Sequence, residues 1–164
     1  MRALLQRVLK GEVRIDGKVV SGIGEGCVIF LGIRKTDLEE NARELAERCS
    51  NIRIFQDHEE KMNRSLRDTG GGALVVSQFT LYADTRRGNR PGFSDAAPPE
   101  LAEPLYDSFV SCLQSTLGPG KVAAGIFRAI MDVTIVNNGP VTILLEDRMS
   151  SSSHVNQGGN SDNA

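Results

Sequence analysis

The residues with chemistry to offer lie in two short segments, Ser77-Gln78-Phe79-Thr80 and Asn138-Gly139-Pro140-Val141-Thr142. The first follows the apolar run Ala73-Leu74-Val75-Val76. The second separates Val133-Thr134-Ile135-Val136 from Val141-Thr142-Ile143-Leu144-Leu145. Polar groups at the mouth of a sheet can be aimed at a ligand while the sheet holds them rigid. Thr80 can act as a nucleophile only beside a base, and none is close to it in sequence. The backbone N–H groups of Phe79 and Thr80 can instead hold a developing oxyanion, where one such donor is worth about 3 kcal/mol. On the other reading Ser77 and Thr80 are ordinary strand residues and Phe79 belongs to the core. Gly139-Pro140 also has two readings. One is the tight turn that Gly-Pro commonly marks. The other is a special backbone shape, since glycine reaches angles closed to other residues and a bond to proline adopts cis at modest cost.

The familiar catalytic sets are missing. His154 lies near the C-terminus, and His58 stands between Asp57 and Glu59, where a solvated histidine fits better than a catalytic one. A Ser-His-Asp triad, a Gly-x-Ser-x-Gly elbow and zinc-ligand spacing are all absent, so no metal and no cofactor are expected. Gly118-Pro119-Gly120-Lys121 lacks the full spacing of a phosphate loop and reads as a helix stop. Arg86, Arg87 and Arg90 form the sharpest positive cluster, in a loop broken by Gly88 and Pro91. They suit phosphate contacts, and a solvated loop equally; closeness to Ser77–Thr80 favours a negatively charged substrate.

The elements that would position these groups follow from the pattern. A chain of 164 residues forms one domain with a real core. The net charge of −2 excludes nucleic-acid binding driven by overall charge but allows a local basic patch. No apolar stretch spans a bilayer, and Met1–Arg7 is charged too early for a signal peptide. Cys27, Cys49 and Cys112 read as buried free thiols in a reducing cytoplasm. Strands are expected at Ala3–Leu9, at Glu12–Ile15 returning through an Asp16-Gly17 hairpin, at Cys27–Ile33 and at Ile52–Phe55. Three more fall at Val122–Phe127, Met131–Val136 and Val141–Leu145. A first helix should start at Thr36, with Glu39 completing a capping box and Leu38, Ala42, Leu45, Ala46 and Cys49 inward. A second should start near Pro98-Pro99, with Leu101, Leu105, Phe109, Cys112 and Leu113 inward. Gln56–Gly72 reads mostly as loop, and residues 148–164 as a disordered polar tail after a domain of residues 1–147. The class is mixed α+β with more strands than helices.

Together these residues resemble one family. Ser77-Gln78-Phe79-Thr80-Leu81, then Asp84-Thr85-x-x-Gly88-x-x-Pro91-x-Phe93-Ser94, then Asn137-x-Gly139-Pro140-Val141-Thr142 resemble the D-aminoacyl-tRNA deacylases. Gln6-Arg7-Val8, Leu31-Gly32, Arg53-x-Phe55 and Lys61-Met62-Asn63 match as well. The resemblance implies a compact three-layer β/β/α fold, mostly antiparallel with two main helices, in a cytoplasmic homodimer. It implies hydrolysis of the ester joining a D-amino acid, or glycine, to tRNA. Gln78, Phe79 and Thr80 would be catalytic. Ser77, Phe127, Ala129 and Met131 would bind substrate, joined by Gly139 and Pro140 of the other subunit through a cis bond that excludes L side chains. Arg86, Arg87 and Arg90 would hold the tRNA. Arg128 and Asn138 depart from the family pattern, which favours a small residue and an aspartate there. Two other classes compete: a nonenzymatic RNA-binding or dimeric scaffold protein, which has no need of the Gly-Pro step, and a small-molecule esterase, which has no need of the arginines.

Overall fold

The computed structural model describes residues 1–148. His154 and all of the expected tail except Arg148 lie outside the described residues. β1 (Arg2–Ile15) is the spine of the sheet. Its first half pairs antiparallel with β3 (Gly26–Gly32), and its second half folds back on β2 (Lys18–Ile23) through the Asp16-Gly17 turn. β8 (Asp132–Glu146) also runs antiparallel to β1, from Arg2 to Arg14. β6 (Gly72–Ser77) joins β3 in parallel, and β7 (Val122–Ala124) joins β6 in parallel. β4 (Arg53–Gln56) and β5 (Met62–Ser65) make a separate hairpin. The helices are α1 (Glu39–Asn51), the single turn α2 (Leu66–Thr69) and α3 (Pro99–Leu117).

β3 and β6 divide their side chains between two cores. Cys27, Ile29, Leu31, Ala73 and Val75 face the first, against Leu45 of α1 and Phe109 and Leu113 of α3. Val28, Leu74 and Val76 face the second, with Val8 and Val13 of β1. Both faces are covered, so these strands read as unbroken apolar runs rather than alternations. Two cores make three layers, β on β on α. The class is the mixed α+β one expected, with mostly antiparallel pairing and few helices. Phe109 is fully buried, and truncating such a residue to alanine costs about 3–5 kcal/mol.

Several local expectations are corrected. The strands expected at Ala3–Leu9 and Glu12–Ile15 are one, β1, and the strand expected at Val122–Phe127 ends at Ala124. α1 starts at Glu39, not Thr36, because Asn41 Oδ1 accepts the Leu38 N–H at 2.8 Å and so supplies the cap. Asp37 is buried, holding the Met1 ammonium and the Arg34 side chain, and Leu38 is exposed. On α3 the inward stripe is Ala102, Leu105, Tyr106, Phe109 and Leu113; Leu101 is turned outward, and Cys112 is only half-buried. Gln56–Gly72 is not mostly loop. It holds β5 and α2, whose start is set by a Ser65–Asp68 capping box, with the Asp68 N–H donating to Ser65 Oγ and the Ser65 N–H to Asp68 Oδ2. Finally, the two strands expected on either side of Gly139-Pro140 are one strand, β8. Its first half packs on the second core through Val133 and Ile135, and its second half on the first through Val141, Ile143 and Leu145.

Candidate active site

At the end of β6 the chain leaves the sheet as a strap. The Gln78 N–H makes a last sheet bond to Leu31 O at 2.8 Å, and Phe79–Tyr82 then form a 3-10 turn. Its first two N–H groups, those of Phe79 and Thr80, have no backbone acceptor among the described residues, as the start of a helical turn dictates. Gln78 Nε2 donates to Thr80 Oγ1, which fixes both side chains. The strap sits directly on Gly32, where a Cβ would lie 3.0 Å from Leu81 Cβ and 3.2 Å from Gln78 O. From β1, Arg2 donates to Leu81 O at 2.9 Å and stacks over the Tyr82 ring at 4.7 Å.

A cavity of about 510 Å³ opens between the strap and the start of α3. Ser77, Gln78 and Phe79 line it, with Leu31, Phe93 and Phe127 among its apolar walls. Phe79 is not a core residue: it is 56% exposed and packs edge-on against Phe93, ring centroids 5.0 Å apart. Phe127 is backed by Tyr106, whose hydroxyl donates to Val75 O at 2.9 Å. Burial pushes the Tyr106 hydroxyl up to about 12, so it stays a neutral donor at any physiological pH. Thr80 is exposed and is not among the lining residues. Ala129 and Met131 are not among the lining residues; Met131 packs against the second core.

The Gly-Pro step lies elsewhere on this chain. Val8 pairs with Asn137 and Gln6 with Thr142, so Asn138–Val141 bulge from β8 opposite the single residue Arg7. Arg7 is buried beneath the bulge, donating through Nε to Asn138 O at 3.2 Å and through Nη1 to Ile54 O at 2.6 Å. Asn137 and Gln6 both donate to Thr142 Oγ1, closing the bulge at its base. The Gly139-Pro140 bond is cis, and both residues point outward, exposed. Neither lines the cavity of the same chain.

The arginine loop is a short hairpin closed by paired bonds between Asp84 and Gly92. Arg86 grips Asp84 with two side-chain bonds of 2.8 Å, which hold the Asp84 carboxyl down at about 2. Arg87 and Arg90 are exposed and make no ion pair among the described residues. Arg128, at the exposed mouth, is a lining residue that sequence reasoning left without a role. Arg7 and Phe93 carried only motif value; their places depend on strand pairing and on a long-range ring contact that spacing does not reveal.

Two N–H groups without a backbone acceptor among the described residues, beside a largely apolar cavity, suit the holding of a developing oxyanion. Residues 4–146 match the family described as D-Tyr-tRNA(Tyr) deacylase. A relative from Roseiflexus castenholzii, named D-aminoacyl-tRNA deacylase, is 58% identical over 146 residues, covering 89% of this chain and 92% of that one. A solved structure described as c-Myc DNA Unwinding Element Binding Protein superposes with a TM-score of 0.86 at 39% identity, covering 90% and 99% of the two chains. Another, described as a probable eukaryotic D-amino acid tRNA deacylase, shares the fold with a TM-score of 0.78 at 18% identity, covering 88% and 98%. The chain belongs to the D-Tyr-tRNA(Tyr) deacylase family and is a hydrolase of that class.

Proposed function

We propose that this protein removes D-amino acids, and glycine, from tRNA by hydrolysing the aminoacyl ester. The observation that carries the reading is the pair of N–H groups of Phe79, which lines the apolar cavity, and the adjoining Thr80, neither with a backbone acceptor among the described residues. An aminoacyl ester is already activated, so positioning and oxyanion stabilisation suffice without a triad. The neighbouring 2′-hydroxyl of the terminal ribose orients the attacking water, and Thr80, tied to Gln78, positions rather than attacks. Arg87 and Arg90 meet the acceptor-end phosphates, with Arg86 braced beside them.

The working unit is a cytoplasmic homodimer in which Gly139-Pro140 of one subunit enters the cavity of the other. The outward bulge supports this, as do Leu9 and Val136, exposed apolar neighbours of it on β1 and β8. No helix among the described residues is long and apolar enough to cross a membrane. Selection by rigid main chain rejects L side chains without gripping D ones, which also admits glycine. Light scattering beside a deacylation assay checks both halves: a dimer active on D-tyrosyl-tRNA and glycyl-tRNA supports the reading. A fully active monomer removes Gly139-Pro140 from the mechanism.

A further inference from the structure

One cation lines the cavity. Its other walls are apolar or neutral, and Arg128 stands at the exposed mouth, with no ion pair or side-chain hydrogen bond among the described residues. Its backbone sits at φ 65, an angle that glycine takes freely and a residue with a Cβ takes against steric resistance. A strained, unpaired arginine at the rim of a binding cavity points to a ligand rather than to packing. Phe127, also a lining residue, and Ala129 flank it in sequence without charge, and no acidic residue lines the cavity.

We propose that Arg128 grips the 5′-phosphate of the terminal tRNA nucleotide, fixing how deeply the aminoacyl end enters. This rests on the deacylase reading above. On that reading the ester lies beside Ser77–Phe79, and the acceptor strand passes the mouth where Arg128 stands. The guanidinium fork matches a phosphate bidentately, and that phosphate is common to every substrate, whatever the amino acid.

The test is calorimetric binding of the non-hydrolysable analogue 3′-D-tyrosylamino-3′-deoxyadenosine, with and without a 5′-phosphate. The wild-type protein should bind the phosphorylated form about tenfold more tightly at low salt. Arg128→Gly should bring that ratio to about one, and Arg128→Lys should keep part of it. The glycine variant should melt at or above the wild-type temperature, since its backbone is then at ease. An unchanged ratio in Arg128→Gly overturns the proposal, and so does a lower melting temperature, which makes Arg128 structural. A loss confined to the D-aspartyl analogue would reassign Arg128 to an acidic side chain and overturn the phosphate role. Wild-type protein that binds neither analogue refutes the deacylase reading itself.

Discussion

Replacing Gly139 with alanine tests how the Gly-Pro bulge is held. The residue sits at φ 117, where a Cβ brings on the order of 1–3 kcal/mol of backbone strain. That Cβ would lie 2.7 Å from Arg7 Nη2 and 3.0 Å from Val141 Cγ2. Arg7 cannot swing aside freely, because it is only 9% exposed and its guanidinium is tied to Ile54 O and Asn138 O. Losing one hydrogen bond from a charged donor adds about 1.5–3 kcal/mol. The sum is about 2.5–6 kcal/mol, or a fall in Tm of roughly 5–20 °C for a chain of this size. Gly17→Ala is the matched control: φ is 75 but no atom lies within 4 Å of the added Cβ, so only strain of about 1–2 kcal/mol remains. Thermal denaturation of both variants, with deacylation of D-tyrosyl-tRNA measured in parallel, separates the contact from the strain. Gly139→Ala that is no less stable than Gly17→Ala, with full activity, would refute the argument that Arg7 buttresses the bulge.

Thr80→Ala should retain measurable deacylation, because the hydroxyl is tied to Gln78 and has no base beside it; an acyl group trapped on Thr80 by mass spectrometry overturns this. Neutralising Arg86, Arg87 and Arg90 together should raise KM and flatten the salt dependence while leaving chirality selection alone; an unchanged slope counts against a phosphate role. The Arg86 side chain holds Asp84 below the usual carboxylate value, so what their pairing contributes to stability is complete above the unfolded carboxylate range and is lost only as pH falls through about 2. Carboxyl NMR placing the Asp84 titration near 4 would show the pair to be absent in solution. Burial pushes the Cys27 thiol up to about 12 and raises Cys49 too, so alkylation at neutral pH should mark Cys112 first; early labelling of Cys27 contradicts the packing of the first core.

The apolar runs foretold the central sheet because strands covered on both faces leave an unmistakable pattern, as in Cys27–Ile33 and Ala73–Val76. The strap was legible too: Ser77–Thr80 fall where a buried strand ends, and the structure puts three of them around one cavity. Other features were hidden because they depend on partners distant in sequence. The local pattern places the α1 cap at Thr36 and Glu39, whereas Asp37 is turned inward to Met1 and Arg34 and the Leu38 N–H donates to Asn41 Oδ1. The Gly-Pro step read as a break between strands, since nothing local shows that Arg7 of β1 fills the space beneath it. Ala129 and Met131 rest on the family resemblance alone, and they fall outside the cavity of this chain.

The central claim is chiral discrimination at an ester bound to tRNA. Single-turnover hydrolysis of the same tRNA charged with D-tyrosine or with L-tyrosine tests it most directly, at equal enzyme concentration and fixed salt. The D ester should be cleaved rapidly and the L ester left at the rate of spontaneous hydrolysis. Equal cleavage of both esters, or of neither, would contradict the account.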